Sequence, residues 1–252
     1  MSDPRRIQTR ALRDFLRWLG GGSPGASAWE APGVTAAIVP ATPGRSIVNS
    51  VAYADEAALS AAYDGLSAAY ADAGIAAWSV WTPEQDADAI ELLSANGHAF
   101  DGQPAAMTLD LENFAPRDPG DLDWDADASF EEVGRVNDEA YGHAGAEGMA
   151  PAIAGAPAGM ALGRYRARID GETACVLVTA DHEDDLGIYF VATGERYRGR
   201  GLATRLLAVA LAQGQARGLR TSSLQSSPKG QPVYERLGYR PRFRLHLYER
   251  RG

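Results

Sequence analysis

The sequence predicts an α/β protein in which helices pack against a mixed β-sheet. Short apolar strand patterns alternate with amphipathic helix patterns along the whole chain, which is typical of this class. Asp170-Gly171 lies between two such strands and is a hairpin signal, which predicts antiparallel pairing there. A strand, a loop rich in glycine and arginine (194–201) and a long helix then follow one another directly. This order predicts a ligand site at the start of that helix.

Length and composition fit a globular protein of one large domain or two smaller ones. The chain has 252 residues, of which 45% are apolar and 23% are charged. Its one cysteine lies in the apolar run Cys175-Val176-Leu177-Val178, which predicts a buried core residue rather than a nucleophile. A chain with one cysteine forms no internal disulfide, as expected in a reducing compartment.

No segment of the sequence is expected to enter or cross a membrane. No apolar stretch approaches the roughly 20 residues that a spanning helix needs. The N-terminal segment carries arginines on a helical pattern and lacks the continuous apolar core and the cleavage site of a signal peptide. We therefore expect a cytoplasmic protein without a membrane partner.

Charge is distributed unevenly along the chain. Residues 195–252 contain 13 Lys or Arg and 3 Asp or Glu, a net charge of +10. The other residues carry 11 basic and 30 acidic side chains, which brings the whole chain to −9. The acidic total argues against a nucleic-acid partner, whereas the basic C-terminal segment suggests a local anionic ligand such as a phosphorylated cofactor. A solvated arginine-rich surface is the alternative.

The first half of the chain, residues 1–111, is expected to form a domain of mixed strands and helices. The glycine-rich segment 20–25 predicts a loop after an N-terminal helix, and Gly74 predicts the end of a second helix. Two prolines, Pro116 and Pro119, mark the polar stretch 112–121 as a linker. The predicted elements are a helix at 7–19, strands at 34–39 and 46–52, a helix at 55–73, a strand at 76–81, a helix from Thr82 and Pro83 to residue 95, and a strand at 100–111.

The second half, residues 122–252, is predicted to be a separate domain. Ser129 is placed to cap a helix whose first turn holds Glu131 and Glu132. A segment rich in glycine, alanine and proline at 143–160 predicts a loop with one short helix. The predicted elements are a short strand at 122–124, helices at 129–141, 201–217 and 230–237, and strands at 161–169, 172–180, 186–193, 220–225 and 243–249.

The segment 194–201, Gly-Glu-Arg-Tyr-Arg-Gly-Arg-Gly, has the composition of an anion site. Gly199 and Gly201 allow the backbone to turn tightly and to present successive N–H groups at the positive end of the following helix. Arg198 and Arg200 add positive charge, so that a pyrophosphate would fit. No Gly-Lys-Ser/Thr follows and G-x-G-x-x-G is missing, which argues against a P-loop and a Rossmann site.

Two motifs in this half resemble the signatures of one family. The run R-x-x-G-x-G at 196–201 resembles the Q/R-x-x-G-x-G/A motif of the GNAT acetyltransferases, which holds the pyrophosphate of acetyl-CoA. The run S-P-K-G-Q-P-V-Y-E-R-L-G-Y at 227–239 resembles the second signature, a short helix that ends in Tyr-x-x-x-Gly-Phe/Tyr. The order of strand, loop, helix, strand, helix and strand from 186 to 248 also matches the family. Residues 122–252 are consistent with one such domain.

The resemblance implies an N-acetyltransferase that uses acetyl-CoA and no metal. The backbone around Val191 would pair with the pantetheine amides and face the thioester carbonyl. Tyr234 would protonate the leaving thiolate, since a tyrosine with its ordinary pKa of about 10 is protonated at neutral pH. The residues implied to hold the cofactor are Val191, Ala192, Thr193, Arg196, Arg198, Gly199, Arg200, Gly201, Leu202, Ala203, Thr204, Ser227 and Tyr234.

The sequence departs from the family pattern at two positions. Ser227 stands where the family often has asparagine, and Gly187 stands where many members have a glutamate that acts as general base. A two-residue shift of the alignment would put Asp185 there instead. Asp185, Glu183 and His182 are candidate bases by nearness in sequence, but each is also typical of a solvated turn. A water chain is the alternative, so the sequence leaves the base unassigned.

Residues 1–111 carry no second R-x-x-G-x-G loop, although their order of strands and helices resembles a degenerate GNAT domain of tandem family members. Such a domain would be structural or would line the acceptor cleft. Tyr70, Trp78, Trp81 and Phe100 are predicted to form its core, and Asn49 is predicted to be a buried amide with its hydrogen bonds satisfied.

Three functions are compatible with these features. The first is transfer of the acetyl group of acetyl-CoA to a primary amine of a small molecule or peptide. The second is a non-catalytic acyl-CoA-binding or sensing protein, favoured by the missing glutamate and opposed by Tyr234. The third is an interaction protein whose arginine-rich C-terminal segment binds an acidic partner. The acidic remainder of the chain favours a cationic acceptor by electrostatic steering, and no oligomeric state follows from the sequence.

Overall fold

Helices and strands alternate along the chain in the computed structural model, which describes residues 3–143, 145, 148–156 and 162–252. The first half contains α1 (Pro4–Leu19), β1 (Ser27–Ala31), β2 (Val34–Ile38), β3 (Ser50–Tyr53), α2 (Glu56–Asp72), β4 (Ala77–Pro83), α3 (Ala87–Ala95), β5 (Ala99–Gly102) and β6 (Ala105–Asp110). The second half contains β7 (Asp123–Asp125), α4 (Phe130–Tyr141), α5 (Ala150–Ile153), β8 (Leu162–Ile169), β9 (Glu172–His182), β10 (Asp185–Thr193), α6 (Leu202–Ala216), β11 (Thr221–Ser226), α7 (Gln231–Leu237) and β12 (Arg240–Arg251).

The strands of the described residues form one mixed sheet. Its order is β1-β2-β3-β4-β12-β6-β11-β10-β9-β8-β7, and β5 pairs with β12 beside this path. The β3–β4 and β10–β11 pairs are parallel, whereas the other pairs are antiparallel. The predicted α/β class with a mixed sheet is therefore confirmed.

Each half of the chain contributes one strand to the part of the sheet that the other half forms. β6, from the first half, pairs with β11 on one side and with residues 240–244 of β12 on the other. The remainder of β12, residues 245–251, pairs with β4 and so completes the sheet of the first half. Strand pairing thus crosses the predicted linker in both directions. The domain limits 1–111, 112–121 and 122–252 stay a prediction.

Three apolar clusters hold the helices on the sheet. α6 and α7 cover one face of the second half, where Leu206 and Leu207 belong to the same buried cluster as Leu177. α1, α4 and α5 share a cluster with Val176 and Val178, whose side chains alternate with that of Leu177 along β9 and therefore mark the opposite face. A third cluster includes residues of α2 and α3 and the strands of the first half. The N-terminal helix is thus part of the covering of the second half.

Several local signals are confirmed by the backbone. Ser129 and Glu132 form a reciprocal capping box at the start of α4. The Asp55 side chain accepts a hydrogen bond from the Ala58 amide at the start of α2. Asp170 forms the β8–β9 turn with Gly171, and both have positive φ values, 53° and 79°. Of the predicted loop at 143–160, α5 is the short helix, whereas residues 144, 146–147 and 157–160, with Ala161 of the next predicted strand, lie outside the described residues.

The prediction of a helix that begins at Thr82 and Pro83 is wrong. Both residues belong to β4, where they pair with His246 and Leu245 of β12, and α3 begins only at Ala87. A cap and a proline are local helix signals, but pairing with a strand from the other end of the chain overrides them. This strand partner is invisible to any local pattern.

The first half differs from the prediction in three further places. The segment 100–111, predicted to contain one strand, holds two, β5 and β6, which are interrupted before Ala105 by Pro104, a residue with no N–H to donate. The edge strand β1 has no clear alternation of apolar residues and was not predicted. Phe100 is 53% exposed rather than part of the core, whereas Tyr70 and Trp78 are buried as predicted. Asn49 is a satisfied buried amide, bonded to the Val39 amide and the Thr42 carbonyl.

His98 joins the returning strand β12 to α2. Its Nδ1 lies 3.1 Å from the Tyr248 carbonyl oxygen, and its Nε2 lies 3.0 Å from the Tyr63 hydroxyl. Since the carbonyl oxygen only accepts, Nδ1–H donates to it, and Nε2 of the neutral ring accepts from Tyr63. Burial lowers the pKa of His98 from its ordinary 6.5 to about 4.

We expect this histidine to make folding sensitive to acid. Because its pKa is lower in the folded state, its contribution to stability is fully present above pH 6.5 and is lost as the pH falls towards 4. The loss should reach about 3 kcal/mol in the free energy of unfolding. Urea denaturation at several pH values measures it. The His98→Gln variant should be less stable at pH 7 but should lack this part of the slope, and equal slopes in both proteins would contradict the prediction.

Candidate functional site

A wedge opens in the sheet between two neighbouring parallel strands. β10 and β11 pair over three positions only, from Asp185 with Thr221 to Gly187 with Ser223. Beyond these, β10 continues to Thr193 and β11 continues to Ser226, and β11 stays paired with β6 along its other edge. Both strands lie wholly within the described residues. The edge of β10 that faces the wedge therefore has free backbone groups for an extended ligand.

A β-bulge interrupts β10 at the wedge. Tyr189 pairs with Val178 and Ala192 pairs with Val176, so that two residues, Phe190 and Val191, stand opposite one. Phe190 has a positive φ of 51°, which is a strained conformation for a residue with a side chain. The bulge redirects the backbone around Val191, the position at which the predicted cofactor contacts begin.

The loop after β10 leads into α6 as predicted. Gly199 and Gly201 have positive φ values of 78° and 74°, and a Cβ atom at either would have no neighbour within 4 Å. α6 begins at Leu202 with no side-chain cap, and the Arg205 amide makes the first bond, to the Gly201 carbonyl. The amides of the first turn, Leu202 to Thr204, therefore point out of the helix end into open space. This uncapped helix end with two open glycines fits a pyrophosphate.

The arginines of the loop have different partners. Arg198 donates to the Ala140 carbonyl at the end of α4 and, at 3.4 Å, to the Thr193 carbonyl. Arg196 is paired with Glu172, and its guanidinium lies 4.7 Å from the centre of the Tyr197 ring. Arg200 and Arg198 are exposed. Arg196 is exposed as well, so the loop presents three guanidinium groups near the helix end, of which that of Arg196 is paired with a carboxylate.

Tyr234 lies on the α6 face of the sheet, near Cys175, which pairs with Thr193 at the end of β10. Its half-buried side chain packs against the cluster that contains Cys175, and its ring centre lies 5.8 Å from that of Tyr239. No hydrogen bond to its hydroxyl is formed within the described part of the chain. Burial raises its pKa above the ordinary value, and the nearby Tyr141 and Cys175 add to this effect. The hydroxyl is therefore a proton donor available to a ligand.

Ser227 and Cys175 occupy contrasting positions. Ser227 is exposed at the start of the loop before α7, and its hydroxyl accepts from the Gly230 amide at 3.3 Å. Cys175 is buried, and burial raises the pKa of its thiol to about 11, although a hydrogen bond from Thr193 at 3.3 Å opposes this. The thiol is therefore protonated at neutral pH, and its prediction as a core residue is confirmed.

The structure separates the candidate bases. A Cβ atom at Gly187 would lie 2.7 Å from the Tyr189 hydroxyl and 2.8 Å from His182 Nε2, so no side chain fits there without a rearrangement. Asp185 is fully buried, and its carboxylate accepts from the hydroxyls of Thr221 and Ser223 at 2.6 and 2.5 Å. Burial raises its pKa.

The two other candidates lie around the β9–β10 turn. Glu183 is exposed in the turn and paired with Arg10 of α1. His182 is buried, with Nδ1 3.1 Å from Asp14 Oδ2 and Nε2 2.8 Å from the Tyr189 hydroxyl. Asp185 and His182 are thus buried rather than solvated as in an ordinary turn. The structure leaves the base unassigned.

A surface groove of about 400 Å³ runs along the outer side of α1, lined by arginines. Three of its five arginines have acidic partners in the chain. Arg5 binds the buried Asp86 with both nitrogens, at 2.8 and 2.7 Å. Arg17 binds Glu30 at 2.6 Å, and Arg10 is paired in the β9–β10 turn. The other two arginines form no ion pair within the described residues, so the groove keeps some positive charge.

The described residues contain neither a metal-binding cluster nor a membrane-spanning helix. No group of three or more histidine, cysteine, aspartate or glutamate side chains in the described ranges is arranged to hold a metal ion. Among the helices of those ranges, none combines the length and the apolarity of a membrane span.

The sequence profile of the Acetyltransferase (GNAT) family matches residues 109–239, more than half of the chain. The chain belongs to the GNAT acetyltransferase family. The match includes the bulged strand β10, the R-x-x-G-x-G loop, α6 and Tyr234, and it begins within β6, the strand that the first half contributes. The resemblance seen in the sequence motifs is thereby confirmed. No curated protein matches the sequence in the corresponding comparison.

Solved structures extend the GNAT fold to the whole chain. The GCN5-related N-acetyltransferase from Kribbella flavida is 18% identical, with a TM-score of 0.70 over 100% of this chain and 97% of that one. A GCN5-related N-acetyltransferase from Sphaerobacter thermophilus is 15% identical, with a TM-score of 0.58 and coverage of 99% and 94%. A tandem GNAT protein from the clavulanic acid biosynthesis pathway is 14% identical, with a TM-score of 0.53 and coverage of 76% and 69%. At these identities the likeness concerns the fold.

Some residues at the site were not singled out from the sequence. Asp14 lies far from β10 in the chain, and no local pattern connects it with His182. Tyr189 and Phe190 form an ordinary apolar strand pattern, which does not reveal the bulge. Tyr141 is 57% exposed at the end of α4 and close enough to Tyr234 to affect its pKa. The one sequence signal for Tyr141 is its position as an aromatic residue at the end of a predicted helix, directly before a predicted loop.

Proposed function

We propose that this GNAT protein is an acetyl-CoA-dependent N-acetyltransferase that acts on a primary amine of a small molecule or peptide. The observation that carries the proposal is the hydroxyl of Tyr234, which lies half-buried near the end of the bulged strand without a hydrogen-bond partner in the described residues. A protein that only bound the cofactor would have no use for a proton donor at this point. The cytoplasm is the compartment that we propose, in keeping with the free Cys175.

The cofactor-binding residues follow from the free backbone groups of the site. The outward amides of Leu202, Ala203 and Thr204, with Gly199 and Gly201, would hold the pyrophosphate. Arg198 and Arg200 would neutralise its charge. For Arg196 to contact the pyrophosphate as well, its ion pair with Glu172 would have to break or its guanidinium would have to bind both groups. The open edge of β10, from Val191 to Thr193, would bind the pantetheine amides, and Ser227 would contact the cofactor from the start of the α7 loop.

The chemistry divides into an acyl donor and a proton donor. Bound acetyl-CoA would supply the acetyl group as an activated thioester. The acceptor amine must be neutral to attack, and the backbone amide near Val191 would stabilise negative charge on the carbonyl oxygen. As the N–C bond formed and the C–S bond broke, Tyr234 would give its phenol proton to the leaving sulfur, and the proton lost by the attacking nitrogen would return through water to the phenolate. A pKa held above the ordinary value keeps this hydroxyl protonated well into the alkaline range.

Thiol release in the presence of amines tests this function. Wild type should release CoA from acetyl-CoA with at least one member of a panel of putrescine, glucosamine, phenethylamine and lysine. The Tyr234→Phe variant should keep its affinity for acetyl-CoA, since the phenol is used as the thiolate leaves. Its kcat should fall about 100-fold, which is within the range for loss of a general acid.

A neighbouring tyrosine supplies the control. Tyr239 is fully buried with its hydroxyl 2.6 Å from that of Ser222, and Tyr239→Phe should retain kcat within a factor of about three, as expected for a side chain outside the reaction. Binding of acetyl-CoA without thiol release for any amine would favour the sensing protein. No binding by folded wild type would rule out both and leave an interaction protein.

A further inference from the structure

Helix α1 packs its aromatic side chains against the bulge of β10. The Phe15 ring lies parallel to the ring of Tyr189, with centres 4.2 Å apart and 5° between the planes. The next residue, Phe190, lies 5.5 Å from Phe15 and 6.3 Å from Trp18, measured between ring centres. Both aromatic residues at the start of the bulge therefore rest on the N-terminal helix.

A chain of hydrogen bonds ties the same position to α1. The Tyr189 hydroxyl donates to the Ala11 carbonyl at 3.1 Å and lies 2.8 Å from His182 Nε2. The other ring nitrogen of His182 lies 3.1 Å from the carboxylate of Asp14. Asp14 is also bonded to Arg17 at 2.8 Å, one turn further along α1. Two points on α1, Ala11 and Asp14, thus hold the end of the Tyr189 side chain.

The bulge needs such support because its backbone is strained. Phe190 adopts a positive φ of 51° with no glycine to relieve it, a conformation that persists only where surrounding contacts impose it. Tyr189 is buried and Phe190 is half-buried, so both are held by packing. On the wedge side, β11 has already separated from β10 and offers no strand pairing at this position. Support therefore comes from β9 and from the helices packed on β10, among which α1 provides the ring stack and a hydrogen bond at Tyr189.

We propose that Phe15, Asp14 and the Ala11 carbonyl of α1 position the bulge at Phe190 and Val191 for binding acyl-CoA. Tyr189 and His182 transmit this support, and all five act as positioning residues rather than as reacting groups. The first half of the chain thereby contributes to the cofactor site of the second half, which gives a role to a half that lacks a phosphate loop. The inference rests on the proposed function for its ligand, but the geometry of the bulge is measurable without any ligand.

Two variants of α1 and β10 test the inference in the full-length protein. Tyr189→Phe removes both hydrogen bonds and keeps the ring stack, whereas Phe15→Leu removes the stack and keeps the polar chain. In each, amide hydrogen exchange measured by NMR at Phe190 to Ala192 should accelerate about tenfold relative to wild type, as for loss of one structural hydrogen bond. The Kd for acetyl-CoA, measured by calorimetry, should rise about tenfold. Phe15→Tyr keeps the ring and should restore both values.

Tyr70 provides a matched control for Tyr189→Phe. It is also fully buried, its hydroxyl donates to the Ala37 carbonyl at 3.1 Å, and its ring stacks on Trp78 with centres 4.6 Å apart. Tyr70→Phe should lower the melting temperature as Tyr189→Phe does, but should leave bulge exchange and the acetyl-CoA Kd at wild-type values. A merely structural Tyr189 would behave like Tyr70.

The two readouts separate this inference from the proposed function. Unchanged exchange at the bulge in Tyr189→Phe and in Phe15→Leu would overturn the positioning role, whatever the protein binds. Accelerated exchange with an unchanged Kd would overturn its connection with the cofactor. Failure of wild type to bind acetyl-CoA would refute the proposed function and the connection of the bulge with acyl-CoA. In that case the exchange data would still show whether α1 supports the bulge.

Discussion

Deletion of residues 245–252 is expected to abolish cooperative folding of the whole protein. These residues pair with β4 along one edge and with β5 along the other, so their loss separates the sheet of the first half from that of the second. Leu245 and Leu247 are buried in this strand. Tyr248 accepts from His98, and Arg250 donates to Ser67 of α2 at 2.9 Å.

The size of this effect follows from the number of backbone hydrogen bonds that β12 completes in the sheet. Without it, β4 and β5 each lose their neighbour, and the backbone groups that face the missing strand have no partners. The loss should exceed the roughly 5–15 kcal/mol that stabilises a typical domain. Circular dichroism during thermal unfolding should show no cooperative transition, and amide exchange should show no protected core in residues 34–110.

A shorter deletion controls for the loss of the terminus itself. Removal of residues 251–252 takes away the exposed end of the strand, with a single backbone bond from Gly252 to the Ala76 carbonyl, and should lower the melting temperature by only a few degrees. A cooperative transition in the longer deletion would show that the first half folds without β12. The strand exchange would then be an accessory feature rather than a condition of folding.

Gly201→Glu is expected to weaken acetyl-CoA binding at least 100-fold while leaving the protein folded, a loss of about 3 kcal/mol or more. A Cβ atom at Gly201 would have no neighbour within 4 Å, so the new side chain projects from the helix end instead of clashing. It places a negative charge where the amides of α6 and the arginines of the loop would receive a pyrophosphate. The positive φ of 74° adds a modest strain of about 1 kcal/mol to the folded state.

The other end of α6 offers the matched control. Gly218 also has a positive φ, 88°, and a Cβ atom there would likewise have no neighbour within 4 Å. Gly218→Glu therefore imposes a similar backbone strain and the same charge, but at the opposite end of the helix. Calorimetric titration should give a wild-type Kd for this variant, and circular dichroism should show both variants folded. Equal affinities of the two variants for acetyl-CoA would contradict a pyrophosphate site at the start of α6.

Much of the fold could be predicted because its signals are local. The capping box of Ser129 and Glu132, the Asp170-Gly171 turn and the glycine ends of the helices each act within a few residues, and the structure contains them all. The loop at 194–201 was predictable for the same reason, since glycines at 199 and 201 directly precede an apolar helix. The motifs at 196–201 and 227–239 therefore indicated the family before any tertiary contact was known.

The wrong predictions concern features that depend on contacts between residues distant in the sequence. Thr82 and Pro83 carry a genuine helix signal, but they lie in a strand because β12 pairs with them from the other end of the chain. Phe100 is as apolar as its buried neighbours, yet it lies on the exposed side of a strand that joins the sheet beside its main path. Burial depends on which face another element covers, and a strand pattern alone does not contain that information.

The sequence by itself determined the α/β class, most of the order of the elements, the glycine- and arginine-rich loop before α6 and membership of the GNAT family, since these depend on residues that are neighbours in the chain. Only the tertiary structure decided that the halves exchange β6 and β12, that a bulge forms at Phe190, and that Asp14 of α1 meets His182. Each of these requires contacts between segments distant in sequence. Strand pairing and packing energies select such contacts only when the whole sheet is assembled.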